Sequence, residues 1–122
     1  MFSHAARLRW SGEIQGYDVR IEAIGGAKVE VGVPGGRELI GLVDAFLLGP
    51  EESRERARSA VIDVLGPEAM FDAATVFGNF EMMNRVAEGS GIGISAQRLE
   101  READMVRALR LERIMKSQQR DH

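Results

Sequence analysis

The clearest periodic signal in the chain lies between residues 37 and 47, where Leu39, Ile40, Val43, Phe46 and Leu47 fall at i, i+1, i+4, i+7 and i+8. That spacing gathers them on one side of a helix, a side that must be buried. Gly49-Pro50 ends the helix, because a residue before proline is pushed away from helical angles. Pro50, Glu51 and Glu52 suit the start of the next one, since proline is tolerated in a first turn and carboxylates favour the positive end of the dipole. This helix runs to about Leu65, with Gly66 as its stop, and Pro67 opens a long helix through Glu88 that Gly89 stops. The long helix is apolar on most sides through Met70, Phe71, Ala74, Val76, Phe77, Phe80, Met83 and Val86. Such a pattern predicts a central helix, with Met82, Met83, Phe77 and Phe80 in the core. Gly78 in its interior costs up to about 1 kcal/mol against alanine, and a close crossing by another helix is the expected reason for it.

The flanking segments give weaker patterns. Ser3 is a candidate N-cap for a short helix over residues 3–10 that stops at Ser11-Gly12. Residues 18–24 read as a second short helix, with Val19 and Ala23, and Ile21 and Ile24, at helical spacings and Gly25-Gly26 as the stop. Residues 27–33 alternate as a half-buried strand would, but no second convincing strand is available to pair with them, so they are read as an extended linker, with a short edge pairing between subunits as the alternative. Ser95 caps a final helix from Ala96 to about Ser117. Glu68, Asp72, Thr75 and Asn79 form a polar stripe on the long helix that could line a cavity but is read as facing solvent or a subunit contact. The expected architecture is all-α, a bundle of about five helices with the last two long.

Composition narrows the chemistry. With 122 residues, 44% of them hydrophobic, the chain suits one domain with a real core. The net charge of −3 gives no steering towards nucleic acid. No apolar run reaches the roughly 18 residues of a membrane span and no signal-peptide order opens the chain, so a cytoplasmic protein is expected. There is no cysteine, hence no thiol or disulfide chemistry within this chain. Two histidines, His4 and His122, are too few for a zinc site without carboxylates from elsewhere. No metal and no cofactor is expected. The glycines between Gly25 and Gly36 lack the spacing of a phosphate-binding loop and read as loop punctuation.

Two stretches carry a family resemblance. Residues 4–24, H-A-A-R-L-R-W-S-G-E-I-Q-G-Y-D-V-R-I-E-A-I, resemble the stretch after the paired cysteines in the carboxymuconolactone decarboxylase and alkylhydroperoxidase-D-like (AhpD-like) family, whose motif runs C-x-x-C-x-x-x-H into a small-residue helix and an I-E-A-I-like segment. Residues 48–94 resemble the family's closing helix, which ends N-R-[IV]-A before a G-I turn, here Asn84-Arg85-Val86-Ala87 with Gly91-Ile92.

The resemblance implies a single AhpD-like helical domain over residues 1–122 whose cysteine pair would fall just before Met1, so that the chain is expected either to lack the family's N-terminal part or to be a natural cysteine-free relative. It implies kinship with peroxide-reducing antioxidant enzymes or with cofactor-free decarboxylases, and a homo-oligomer, trimer or hexamer. In this cysteine-free form the chain is expected to be inactive as a peroxidase. His4 matches the motif histidine and is the candidate catalytic residue, with an exposed terminal histidine as its plainer reading. Asn84 and Arg85 match the N-R pair and are candidate anchors for a substrate or for structure, Arg85 through its fork of donors. A second class of function is a non-catalytic oligomeric helical module that binds a partner or a small apolar ligand.

Overall fold

The structure is a computed structural model that describes residues 2–26, 28–93 and 95–111. The described residues contain six α-helices, one 3-10 turn and no strand, so the all-α expectation holds. They cluster into two compact units, one continuous from Pro34 to Gly93 and one formed by the described residues before and after it.

The continuous unit follows the periodic part of the sequence. Helix α2 spans Gly36–Leu48, α3 Glu51–Leu65 and α4 Pro67–Gly89, as the apolar spacing and the glycine-proline punctuation predict. Only Gly49 and Pro50 separate α2 from α3, and Gly66 alone separates α3 from α4. Gly66 can turn so sharply because it has φ 89, a region open to glycine at little cost. Pro67 then supplies a first-turn residue with no N–H to satisfy. Leu42, Val61 and Met70, one from each helix, form the buried centre, with Leu39, Phe46, Ala57, Leu65 and Ala73 packed around it. Fully burying a side chain of this size contributes about 1.5–3 kcal/mol.

Helix α4 departs from the expectation of a central, covered helix. Met70 is its one buried residue, while Phe71, Val76, Met82, Met83 and Val86 are between 48% and 73% exposed. Met82 and Met83 are therefore not core, and Phe77 and Phe80 are half-buried. The reason is supply: α2 and α3 cover one side of a helix about 34 Å long. No atom of the described residues lies within 4 Å of a Cβ built on Gly78, so among them no helix makes the close crossing expected there. At the far end, Gly91 rather than Gly89 adopts the left-handed conformation, with φ 66. The Ile92 N–H then donates to the Ala87 carbonyl at 3.1 Å.

The discontinuous unit corrects the flanking predictions. Helix α1 spans Phe2–Gln15, overrunning Ser11-Gly12 and placing Ser3 inside the helix rather than at its cap. Gly12 serves packing and not termination: a Cβ there would come within 2.2 Å of Val19 Cγ2. The predicted helix over 18–24 is only a 3-10 turn, Ile21–Ala23. Before it the chain is extended, and the Arg20 N–H donates to the Val31 carbonyl at 2.8 Å. Val19, Ile21 and Ala23 are buried while Asp18, Arg20, Glu22 and Ile24 are exposed, an alternation that begins in the extended segment and carries on through the turn. Lys28 to Val33 form the loop that the linker reading anticipates; Ala27 lies outside the described residues.

Ser95 caps as expected, its hydroxyl accepting from the Arg98 N–H at 3.3 Å. The final helix is not continuous, however. It breaks at Glu102 into α5, Ala96–Arg101, and α6, Ala103–Ala108. Helix α6 ends where Arg110 takes a left-handed φ of 54 and the Leu111 N–H turns back to the Val106 carbonyl. This end buries Leu109 with Ala5, Val19 and Ile21, the centre of the second core. Residues 112–117 of the predicted helix lie outside the described residues.

Candidate functional site

Helices α2 and α4 are held apart by the short corner at Gly66 and by the packing of Phe46 on Phe77, whose ring centroids lie 5.8 Å apart at an interplanar angle of 56°. Between them runs a groove of about 630 Å³, a size typical of small-molecule sites. One wall is α2, through Leu39, Leu42, Val43 and Leu47; the other is α4, through Ala73, Val76, Phe77 and Phe80. Leu65 and Ala69 close the end next to the corner. The side chains predicted to be core in α4 thus build a concave surface instead.

Three polar side chains border this apolar cleft: Asp72, Glu81 and Asn84. Asp72, read from sequence as part of a polar stripe, is exposed at the rim. Thr75 and Asn79 of the stripe bond along their own helix, the Thr75 hydroxyl donating to the Phe71 carbonyl at 2.9 Å and the Asn79 amide to the Met83 sulfur at 3.7 Å. Glu81 is tied to Arg85 at 3.4 Å, and Arg85 reaches Glu88 at 2.7 Å. The charge of Glu88, then its hydrogen bond, and then the same effects of Glu81 raise the Arg85 pKa above its ordinary value. Exposed pairs of this kind contribute little stability, but they fix where the Glu81 carboxylate points.

The three residues singled out by resemblance fall in two different compact units. Asn84 borders the groove, and Arg85 sits beside it with its fork engaged by Glu81 and Glu88. His4 is exposed on α1, in the other compact unit. Among the described residues no three His, Asp or Glu side chains converge closely enough to hold a metal ion. No described helix is long and apolar enough to cross a membrane. The groove thus presents wide apolar walls with two carboxylates and one amide at its border.

No family model, curated protein or solved structure matches the chain. The character of the site rests on its own geometry and on the residues themselves.

The sequence does hold a signal for the groove. A helix with apolar side chains on most of its circumference needs more cover than two neighbours provide, and the uncovered part becomes either a cleft or an interface. Periodicity alone does not supply which residues fall to which fate. That depends on the angle set at Gly66 and on the Phe46–Phe77 contact.

Proposed function

We propose that this chain is a carboxymuconolactone-decarboxylase-like helical protein that does no thiol chemistry and holds a small apolar ligand in the groove between α2 and α4. The observation that carries this reading is the groove itself, apolar on both walls and bordered only by Asp72, Glu81 and Asn84. The family part rests on the N-R-V-A ending of α4 followed by the Gly91-Ile92 turn. As the resemblance implies, the protein works as a homo-oligomer, a trimer or hexamer.

A neutral fluorescent naphthylamine should bind saturably. Val76→Asp should weaken that binding at least about tenfold, since it puts an unpaired carboxylate against an apolar ligand. Val64→Asp, on an equally exposed residue of α3 outside the groove, should leave it unchanged. Titration of the wild-type chain and the two variants decides the matter; equal affinities for all three would dismiss the groove as the binding site.

Without a thiolate the 122-residue chain is expected to show no dithiol-dependent reduction of an organic hydroperoxide. Turnover that disappears in His4→Ala would overturn this and restore His4 to a catalytic role.

A further inference from the structure

Helix α4 carries a second apolar face, turned away from both the core and the groove. Phe71, Thr75, Gly78, Asn79, Met82 and Val86 fall within an arc of about 100° at the 100° per residue of an α-helix, opposite Met70 and Phe77. All six are exposed, Phe71 to 73%, Met82 to 59% and Val86 to 61%. No charged residue falls within this arc between Phe71 and Val86. The polar members do not spoil it: the Thr75 hydroxyl is turned back to the Phe71 carbonyl at 2.9 Å, which leaves its methyl group outermost. At the middle sits Gly78, an unfavourable residue in a helix interior, with no atom of the described residues within 4 Å of its missing side chain.

The order of these residues names the occupant. About a midpoint between Gly78 and Asn79 the face is self-complementary: Phe71 and Val86 stand equally far from it, as do Thr75 and Met82, with Gly78 and Asn79 adjoining it. In a two-fold interface a residue i that meets j is matched by j meeting i, and this arrangement is what such pairing requires when two copies of α4 run antiparallel. Phenylalanine then lies on valine, methionine on the threonine methyl, and the bare backbone at Gly78 lets the helices approach at the crossing. Asn79 falls beside the axis, where it meets its own copy, and a reciprocal pair of amides there fixes the register as a buried asparagine does in coiled coils. A partner of unrelated sequence would leave both this symmetry and the glycine without a cause. At roughly 100 Å² from each of Phe71, Met82 and Val86 the two copies together bury about 600 Å² of side chain, and Thr75, Asn79 and the backbone at Gly78 bring the total towards the roughly 1,000 Å² of a specific interface.

We propose that α4 forms the two-fold interface of a homodimer, its 71–86 face packed antiparallel on that of a second copy with the crossing at Gly78 and Asn79. This rests on the proposed self-association but not on the groove or its ligand, and it selects among assemblies. A hexamer with closed dihedral symmetry contains such two-folds, whereas a lone trimer does not.

The absence of native cysteine makes single-cysteine variants of the full chain a clean test. A mixture of Thr75→Cys and Met82→Cys, one of them tagged, should form a mixed disulfide under mild oxidation at least about tenfold faster than either variant forms one with itself, because only the unlike pair faces across an antiparallel axis within disulfide reach. Asn79→Cys should cross-link with itself, and Glu55→Cys on α3 should not. In light scattering the wild-type chain should show an even multiple of its 13.4 kDa mass, and Gly78→Leu should at least halve that mass with helicity retained. Self-linking of Met82→Cys faster than the mixture would show a parallel pairing and overturn the proposal. So would a trimeric mass, which leaves the self-association standing without this interface. A monomeric mass at micromolar concentration would overturn both.

Discussion

Val61→Asp should cost about 4–5 kcal/mol and move the unfolding midpoint of the three-helix unit far below that of the wild type. Val61 has no solvent exposure and sits where Leu42 of α2 and Met70 of α4 meet α3. A carboxylate there has no hydrogen-bond donor among those neighbours, so it must either stay charged in an apolar site or take up a proton, and both are unfavourable. Unit stability has little to offset this, because a small domain is held by only about 5–15 kcal/mol in total. Far-UV circular dichroism followed through a urea titration measures the change. A midpoint within experimental error of the wild type would mean that Val61 is not at the centre of that core. The neighbouring Ile62, 41% exposed on the same helix, is the control: Ile62→Asp should cost less than about 1 kcal/mol, in keeping with surface substitutions.

Gly32→Ala is the second large effect, about 2–4 kcal/mol, and its origin is the backbone. Gly32 has φ +89, and a Cβ built on it would lie 1.9 Å from the carbonyl oxygen of Asp18. That oxygen cannot withdraw without disturbing the neighbouring bond from the Arg20 N–H to the Val31 carbonyl and the burial of Val19. Gly16→Ala separates the two contributions. Gly16 has φ +78 but nothing within 4 Å, so its alanine variant should lose only the conformational part, about 1 kcal/mol. Equal losses for the two variants in thermal denaturation would show that the contact with Asp18 contributes nothing.

These two sites also mark the limits of what the sequence discloses. Helices α2, α3 and α4 are legible nearly to the residue, because each has a run of apolar spacing closed by glycine or proline and the loops between them are too short to blur their ends. The segment around Val19 and Ile21 is harder. Over so few residues, spacings of three and four coexist with strict alternation, and the alternation proves to be the meaningful pattern because Ile21 must reach a core completed by Leu109. Gly12 resembles a stop signal but is a packing requirement, and only the position of Val19 tells the two apart. The end of α6 carries no such signal, since a left-handed Arg110 stands where glycine would have announced it. As for the groove, its walls are identifiable in the sequence as apolar residues, but their concavity depends on how α4 leaves the corner at Gly66. Asn84 stands out through its place beside Arg85 in a sequence pattern, and it does border the groove; Val76 and Leu47, equally part of it, carry no mark that distinguishes them from core.

The discontinuous unit has a consequence for how the chain is made. Ile21 and Leu109 share one core cluster but are separated by nearly ninety residues, and closing a loop of that length costs on the order of 4 kcal/mol if the intervening chain is unstructured. A ribosome adding about 5–20 residues per second leaves Ala5, Val19 and Ile21 without the Leu109 side of their core for several seconds. During that interval α2, α3 and α4, whose core contacts are all among neighbours in sequence, can fold as they emerge and shorten the effective loop. The first thirty-odd residues are thus the part of the nascent protein that remains longest within reach of chaperones and proteases.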